Sequence, residues 1–277
     1  MVRQRHCTGL GIVIAAGLSI ALSGCGRQDA GVDSHEMLNA TLWRQSSAEY
    51  LANALQVYRF AAEVLDQALA APQWTAALEQ SGDYDALPPA IILDLDETVL
   101  DNTTYEVRII RRQERYSGDS FAEWCREMIA PAIPGVRVFL DHAVARGVTV
   151  FYYSARRQSL RDCTTRNLRE LGLPFPDASR LLLNDGTSKS EYRHRIAQHY
   201  RILLLLGDNL EDFVDGSRTK PRARRALARR YAERWGRQWI VLPNPIYGHW
   251  ESSAYGFDYQ LPRAEQLRLK LLQLQEE

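Results

Sequence analysis

One recurrence constrains this chain more than anything else in it. Three short, unbroken apolar runs, Ala90–Leu93, Val148–Tyr153 and Ile202–Leu206, lie along the sequence, and Trp239–Leu242 forms a fourth, shorter one. Runs of this length without polar alternation suit strands buried on both faces. The stretches 135–146, 157–171, 189–199 and 221–234 between and after them have helical character. Buried strands alternating with helices predict an α/β fold around a mostly parallel sheet flanked by helices. Upstream, residues 38–70 hold no Pro or Gly, and Tyr50, Ala54, Tyr58, Ala61, Leu65 and Leu69 recur every three or four positions. That spacing predicts one amphipathic helix. Ala71-Pro72 and Ser81-Gly82-Asp83 mark breaks after it. The leucine-rich end, 263–277, reads as a helix packed on the body, with too few heptads for a coiled coil.

Each strand ends in chemistry. The first runs into Asp94-Leu95-Asp96-Glu97-Thr98, the second into Ser154-Ala155-Arg156, and the third into Gly207-Asp208-Asn209-Leu210-Glu211-Asp212; Lys189 opens a helix after Ser188. In parallel sheets, active groups gather beyond the carboxyl ends of the strands. The topology therefore predicts carboxylates, a hydroxyl and an ammonium at one edge. Several acids held together repel one another unless a cation neutralises them, and oxygen ligands beside a phosphate suit Mg²⁺. A carboxylate held ionised there can attack phosphorus. A second carboxylic acid two residues on can protonate the leaving alkoxide. Lys and Ser can hold the equatorial oxygens of a transferring phosphoryl group.

These residues resemble the haloacid-dehalogenase (HAD) superfamily. More narrowly, they resemble its class C bacterial acid phosphatases, which are lipoproteins. The stretches that carry the likeness are Trp43–Tyr50, Asp94–Asn102, Ile133-Pro134-Gly135, Phe151–Arg156, Gly207–Phe213 and Leu242–Glu251. The resemblance implies a HAD-like Rossmannoid core with a small helical subdomain from the N-terminal helix and other segments. It implies Asp94 as nucleophile and Mg²⁺ ligand, and Asp96 as general acid/base and, through its backbone carbonyl, a second ligand. Asp208 would be the third ligand, with Asp212 as a supporting acid. Ser154 and Lys189 would hold phosphate. Phe121 and Tyr247 would sandwich a nucleotide base. Two departures stand out: Phe121 where many relatives carry Trp, and Ala155 where relatives often carry Asn. The implied activity is hydrolysis of phosphomonoesters, including nucleoside 5′-monophosphates. A non-catalytic phosphate-binding lipoprotein would lack the nucleophile, and a HAD-type phosphotransferase would fit a cytoplasmic chain better.

The N-terminus is of another kind. Arg3 and Arg5 precede an acid-free apolar run, Leu10–Leu22, that ends in Leu22-Ser23-Gly24-Cys25. The run suits a signal peptide rather than a membrane span. Its end resembles a lipobox, which implies lipidation of Cys25. Gly26 in place of Asp favours the outer membrane of a Gram-negative cell. The chain accordingly divides into a signal (1–24), a tether (25–37) and a catalytic domain (38–277). Within that domain a helical part covers about 38–88, the core about 89–251 and a C-terminal helix about 262–277. Of the remaining cysteines only Cys125 and Cys163 can pair; sequence gives them no geometry, and two buried free thiols are expected. Lys plus Arg equals Asp plus Glu at 34 each, which argues against a nucleic-acid partner. The arginine-rich stretch 218–237 reads as the solvated side of a helix packing through Leu227, Tyr231 and Trp235. His249 reads as a surface or core histidine, and Trp124, Trp235, Trp239 and Trp250 as core.

Overall fold

The computed structural model describes residues 35–174 and 179–274. The signal and Cys25 therefore lie outside the described residues. The expected tether ends against the body: His35 is buried near the Glu114 carbonyl, and Glu36 pairs with Arg263 and Lys270.

The expected single N-terminal helix is two, α1 (Leu38–Ser46) and α2 (Ala48–Ala70). Ser47 between them takes an extended conformation, and its side chain accepts the Tyr50 amide. An N-capping hydroxyl satisfies an amide that the new helix would leave unpaired, so this break needs no Pro or Gly. Next come β1 (Pro89–Asp94), α3 (Thr103–Arg112), α4 (Gly118–Cys125), α5 (Val136–Ala145) and β2 (Thr149–Arg157). They are followed by α6 (Arg161–Glu170), β3 (Leu181–Asn184), α7 (Lys189–Ala197), β4 (Arg201–Gly207) and α8 (Pro221–Arg230). The described chain closes with β5 (Trp239–Val241), α9 (His249–Ser252) and α10 (Arg263–Leu271). The short edge strand β3 and the pair α3–α4 had no signal strong enough to read from sequence.

Among the described residues the strands form one sheet in the order β3-β2-β1-β4-β5, parallel throughout. Alternate residues serve opposite faces. Ile91, Leu93, Val150 and Tyr152 join a core with α2, α5 and α6, while Ala90, Ile92, Phe151 and Tyr153 join one with α7 and Phe213. In β4 the register steps from Ala90↔Ile202 to Ile91↔Leu204, so Leu203 is an extra residue. Its carbonyl accepts the Trp74 indole N–H at 2.8 Å, which satisfies the group the bulge takes out of the ladder. Gly135, from the Ile-Pro-Gly stretch, sits at φ +91°, where a Cβ would press on the Tyr58 Cβ at 3.2 Å. Glycine there both supplies the positive φ and lets α5 approach α2.

Cys125 and Cys163 are not free thiols. They form a disulfide that ties the end of α4 to α6, with Cα atoms 5.9 Å apart. Packing of α4 beside α6 creates that spacing, which no pattern in the sequence announces. Trp124 and Trp239 are core as expected, but Trp250 is half exposed. Leu227, Tyr231 and Trp235 do anchor the arginine-rich stretch.

Candidate active site

β1 and β4 lie side by side, with Leu93 opposite Leu206. Asp94 follows Leu93 directly and Asp208 follows Leu206 by two positions, so both leave the sheet at the same edge. Beyond Asp94 the chain turns sharply. The Val99 and Leu100 amides both donate to the Leu95 carbonyl at 2.8 Å. The turn places Glu97 in the left-handed region at φ 63°. On the β4 side, Asp212 folds back so that the Asn209 amide donates to its Oδ2 at 2.9 Å. A Cβ on Gly207 would meet that Asp212 side chain at 2.2 Å, so glycine is required at the head of the motif.

Lys189, at the start of α7, reaches into this edge. Its Nζ lies 2.6 Å from Asp94 Oδ1 and also pairs with Asp212. Burial and the two carboxylates act on the ammonium in opposite senses, and Asp212 and Asp94 prevail, holding its pKa well above the ordinary lysine value. Asp94 is pushed well above the carboxylate range by burial, with Asp212 and Asp208 adding repulsion against the pull of Lys189. Burial and Asp212 push Asp208 up to about 7, although the Asn244 amide steadies it at 2.8 Å. Thr98 Oγ1 lies 3.5 Å from the other oxygen of Asp208.

Asp96 faces a separate set of donors. Ser154 Oγ donates to it at 2.9 Å, Asn102 Nδ2 at 2.7 Å, and the Arg156 guanidinium grips it through Nε at 2.9 Å and Nη2 at 2.7 Å. Burial would raise this carboxyl, but Arg156 and the hydrogen bonds override it and hold it below its ordinary value. Arg156 is in turn buried against Thr164 at 3.1 Å, with Cys125 Sγ at 3.7 Å.

The structure thus brings Asp94, Lys189, Asp212 and Asp208 together and sets Ser154 beside Asp96. Phe121 is buried among Tyr105, Tyr116 and Trp124, with the Arg156 guanidinium carbon 5.3 Å from its ring centre. Tyr247 donates its hydroxyl to Glu97 at 3.2 Å. His249 is half-buried and faces Glu211 at 3.6 Å. Arg156, Asn102 and Asn244 take part in the site although sequence reasoning gave them no role. All three stand inside the stretches that carry the resemblance, which was the available signal.

Among the described residues no group of three or more His, Cys, Asp or Glu side chains is arranged to hold a metal ion. The expected Mg²⁺ set asks for only two such side chains, Asp94 and Asp208, and the Asp96 carbonyl. The donor chemistry fits: all oxygen, with three carboxylates (Asp94, Asp208, Asp212) facing the single ammonium of Lys189. Few protein ligands leave room for the waters that Mg²⁺ keeps.

A model of the HAD superfamily, subfamily IIIB (acid phosphatase), matches residues 11–250. The fold is similar to the class C acid phosphatase from Bacillus anthracis, with TM-score 0.79 and 30% identity, covering 87% of this chain and 97% of that one. A crystal structure of the B. anthracis enzyme with tungstate bound gives TM-score 0.78 at the same identity and coverage. Acid phosphatase 1 of Solanum lycopersicum is 28% identical over 165 residues, 56% of this chain and 57% of that protein. The chain thus spans little more than half the length of the tomato relative. The family match over most of the chain, joined to the parallel sheet with its carboxylate-lined edge, identifies the chain as a member of the HAD superfamily, subfamily IIIB, the acid phosphatases.

Proposed function

We propose that this acid phosphatase is a Mg²⁺-dependent phosphomonoesterase that forms an aspartyl-phosphate intermediate on Asp94 and accepts nucleoside 5′-monophosphates. The observation that carries the reading is the Asp94–Lys189 contact at 2.6 Å beside an independently held Asp96. A buried carboxylate that two further acids repel and one ammonium steadies can act as a nucleophile on phosphorus. Asp94 Oδ bonds to phosphorus as the ester P–O bond breaks. The leaving alkoxide takes its proton from Asp96. Water then attacks the acyl phosphate and gives a proton back to Asp96, so that orthophosphate leaves and both carboxyl groups return to their starting state. Lys189 and Ser154 hold the equatorial oxygens of the phosphoryl group. Mg²⁺, held by Asp94, Asp208 and the Asp96 carbonyl, would neutralise charge that Lys189 alone leaves uncompensated. The tungstate-bound relative supports a site for a tetrahedral oxyanion.

Acceptance of nucleotides is supported by Tyr247, whose ring is tethered through its hydroxyl beside the acids, and by the aromatic cluster around Phe121. A base offers a π-face to such rings. The test compares a nucleoside 5′-monophosphate with a plain aryl phosphate, with and without EDTA, in wild type and Tyr247→Ala. EDTA should abolish both activities. Tyr247→Ala should lower kcat/KM on the nucleotide about 10-fold more than on the aryl ester, in line with about 1–3 kcal/mol per stacked base. Equal losses would remove the base-stacking idea.

We also propose export and a lipid anchor at Cys25, placing the enzyme in the cell envelope at the outer membrane. The Cys125–Cys163 bridge supports an oxidising compartment. Among the described residues no helix is long and apolar enough to cross a membrane. Replacing Cys25 by Ser should release the protein from the membrane fraction; unchanged membrane retention would count against the anchor.

A further inference from the structure

The stretch Trp43–Tyr50 belongs to α1, α2 and their junction, far in sequence from every residue given a chemical role, yet it is one of the stretches that carry the family likeness. The structure gives it a task. Arg44 is buried, and its guanidinium pairs with the fully buried Glu97. The same guanidinium donates to the Tyr50 hydroxyl at 2.6 Å and lies 4.7 Å from that ring's centre. It also sits 4.0 Å from Asp101.

Glu97 follows directly on Asp96 and is held at φ 63° without being glycine. A left-handed glutamate persists only where its surroundings over-determine it. Its Oε1 accepts the Asn102 amide at 3.1 Å and the Tyr247 hydroxyl at 3.2 Å. Asn102, fixed at its backbone by Glu97, donates its side-chain amide to Asp96 at 2.7 Å. A continuous path therefore runs from α1 through Arg44, Glu97 and Asn102 to the carboxyl group that must protonate the leaving group.

We propose that Glu97, seated on Arg44, is the positioning residue that sets Asp96 for proton donation, so that α1 is part of the frame of the active site. The proposal rests on the phosphotransfer reading above. A pair that merely stapled α1 to the body would need neither the left-handed backbone beside Asp96 nor contact with both Asn102 and Tyr247.

The leaving group separates positioning from stapling. kcat/KM covers the steps up to the phosphoenzyme, and those need a proton only when the departing oxygen is basic. The experiment measures kcat/KM with Mg²⁺ over a series of substituted phenyl phosphates, from dinitrophenyl to methoxyphenyl, and on glycerol phosphate. Glu97→Gly removes the side chain while leaving the left-handed backbone unstrained. Its loss should be below about 3-fold on the dinitrophenyl ester and grow to about 100-fold on glycerol phosphate, the lower end of what a general acid contributes. The plot against leaving-group pKa steepens accordingly. Glu97→Gln keeps an acceptor for Asn102 and Tyr247 and should restore the shallow slope. Retained turnover of the dinitrophenyl ester is itself the control for a folded, metal-loaded site. Should Glu97→Gly lose even that, Arg44→Lys decides: a steeper slope than wild type supports the proposal, and a parallel line overturns it.

A Glu97→Gly enzyme that still turns over the dinitrophenyl ester but loses activity by the same factor on every ester overturns it as well. That result leaves the phosphotransfer reading standing so long as Asp94→Asn is inactive. Undiminished Mg²⁺-dependent turnover in Asp94→Asn would overturn that reading itself.

Discussion

Two neighbouring aspartates in this site are pushed in opposite directions because their surroundings differ. Asp94 shares its pocket with Asp208, Asp212 and one ammonium, whereas Asp96 faces Arg156, Asn102 and Ser154. Arg156 and the hydrogen bonds favour the ionised form of Asp96, so in the proposed mechanism it has to take up a proton before it can give one away, which sets an acidic direction for turnover. Replacing Arg156 with Met removes the guanidinium that overrides burial, so the Asp96 carboxyl should titrate at higher pH. The alkaline limb of the kcat/KM profile should then move upward while its maximum falls. An unmoved limb would mean that Asp96 is not the group that titrates there. Asp94 and Asp96 could be nominated from the sequence because a strand end lifts them out of an apolar run. Arg156 offered only its place in a resemblance stretch, since an arginine two residues after a serine has no chemical pattern of its own until the fold aims it at a carboxylate.

Among elements, the sheet was the most legible part. β1, β2, β4 and β5 coincide within a few residues with the apolar runs, because strands buried on both faces cannot hide their composition. β3 is short and ends exposed at Asn184, and so left no such trace. The break at Ser47 was missed for a related reason. A capping serine ends a helix through one hydrogen bond, without the Pro or Gly that punctuates sequence. The disulfide was out of reach, since bridging depends on how α4 meets α6. That bridge now has a measurable consequence. It closes a loop of 38 residues, for which chain entropy gives a stabilisation of about 4 kcal/mol. Reduction, or Cys163→Ala, should lower the denaturant midpoint by a corresponding amount; an unchanged midpoint would show that the bridge contributes nothing. Because Cys125 and Thr164 lie against Arg156, part of the activity should fall with it.

At the scale of the whole molecule, formal neutrality hides an uneven distribution of buried acid. Burial pushes Glu97 up to about 8 despite Arg44, and pushes Asp208 up to about 7 together with Asp212; Glu106 is also raised well above its ordinary value, chiefly by burial. A carboxyl whose folded pKa exceeds its unfolded one stabilises the fold below the unfolded value and loses that contribution as pH rises through the folded one. Asp96, lowered in the fold, works in the opposite sense and loses its contribution as pH falls through its folded pKa. The Tm of the metal-free enzyme should therefore fall between about pH 5 and about pH 8. If Asp208 is a Mg²⁺ ligand as proposed, added Mg²⁺ should raise Tm more at pH 8 than at pH 5, because it would bind the deprotonated carboxylate. A flat Tm over that range would contradict the assignment of these buried carboxyls.

The proposed mechanism depends on Asp94 receiving the phosphoryl group. The direct measurement is acid quench of the enzyme during turnover of a ³²P-labelled phosphomonoester, followed by peptide mapping. A hydroxylamine-sensitive label is expected on the peptide containing Asp94, absent from Asp94→Asn. A label on any other residue, or Mg²⁺-dependent turnover that survives in Asp94→Asn, would contradict it.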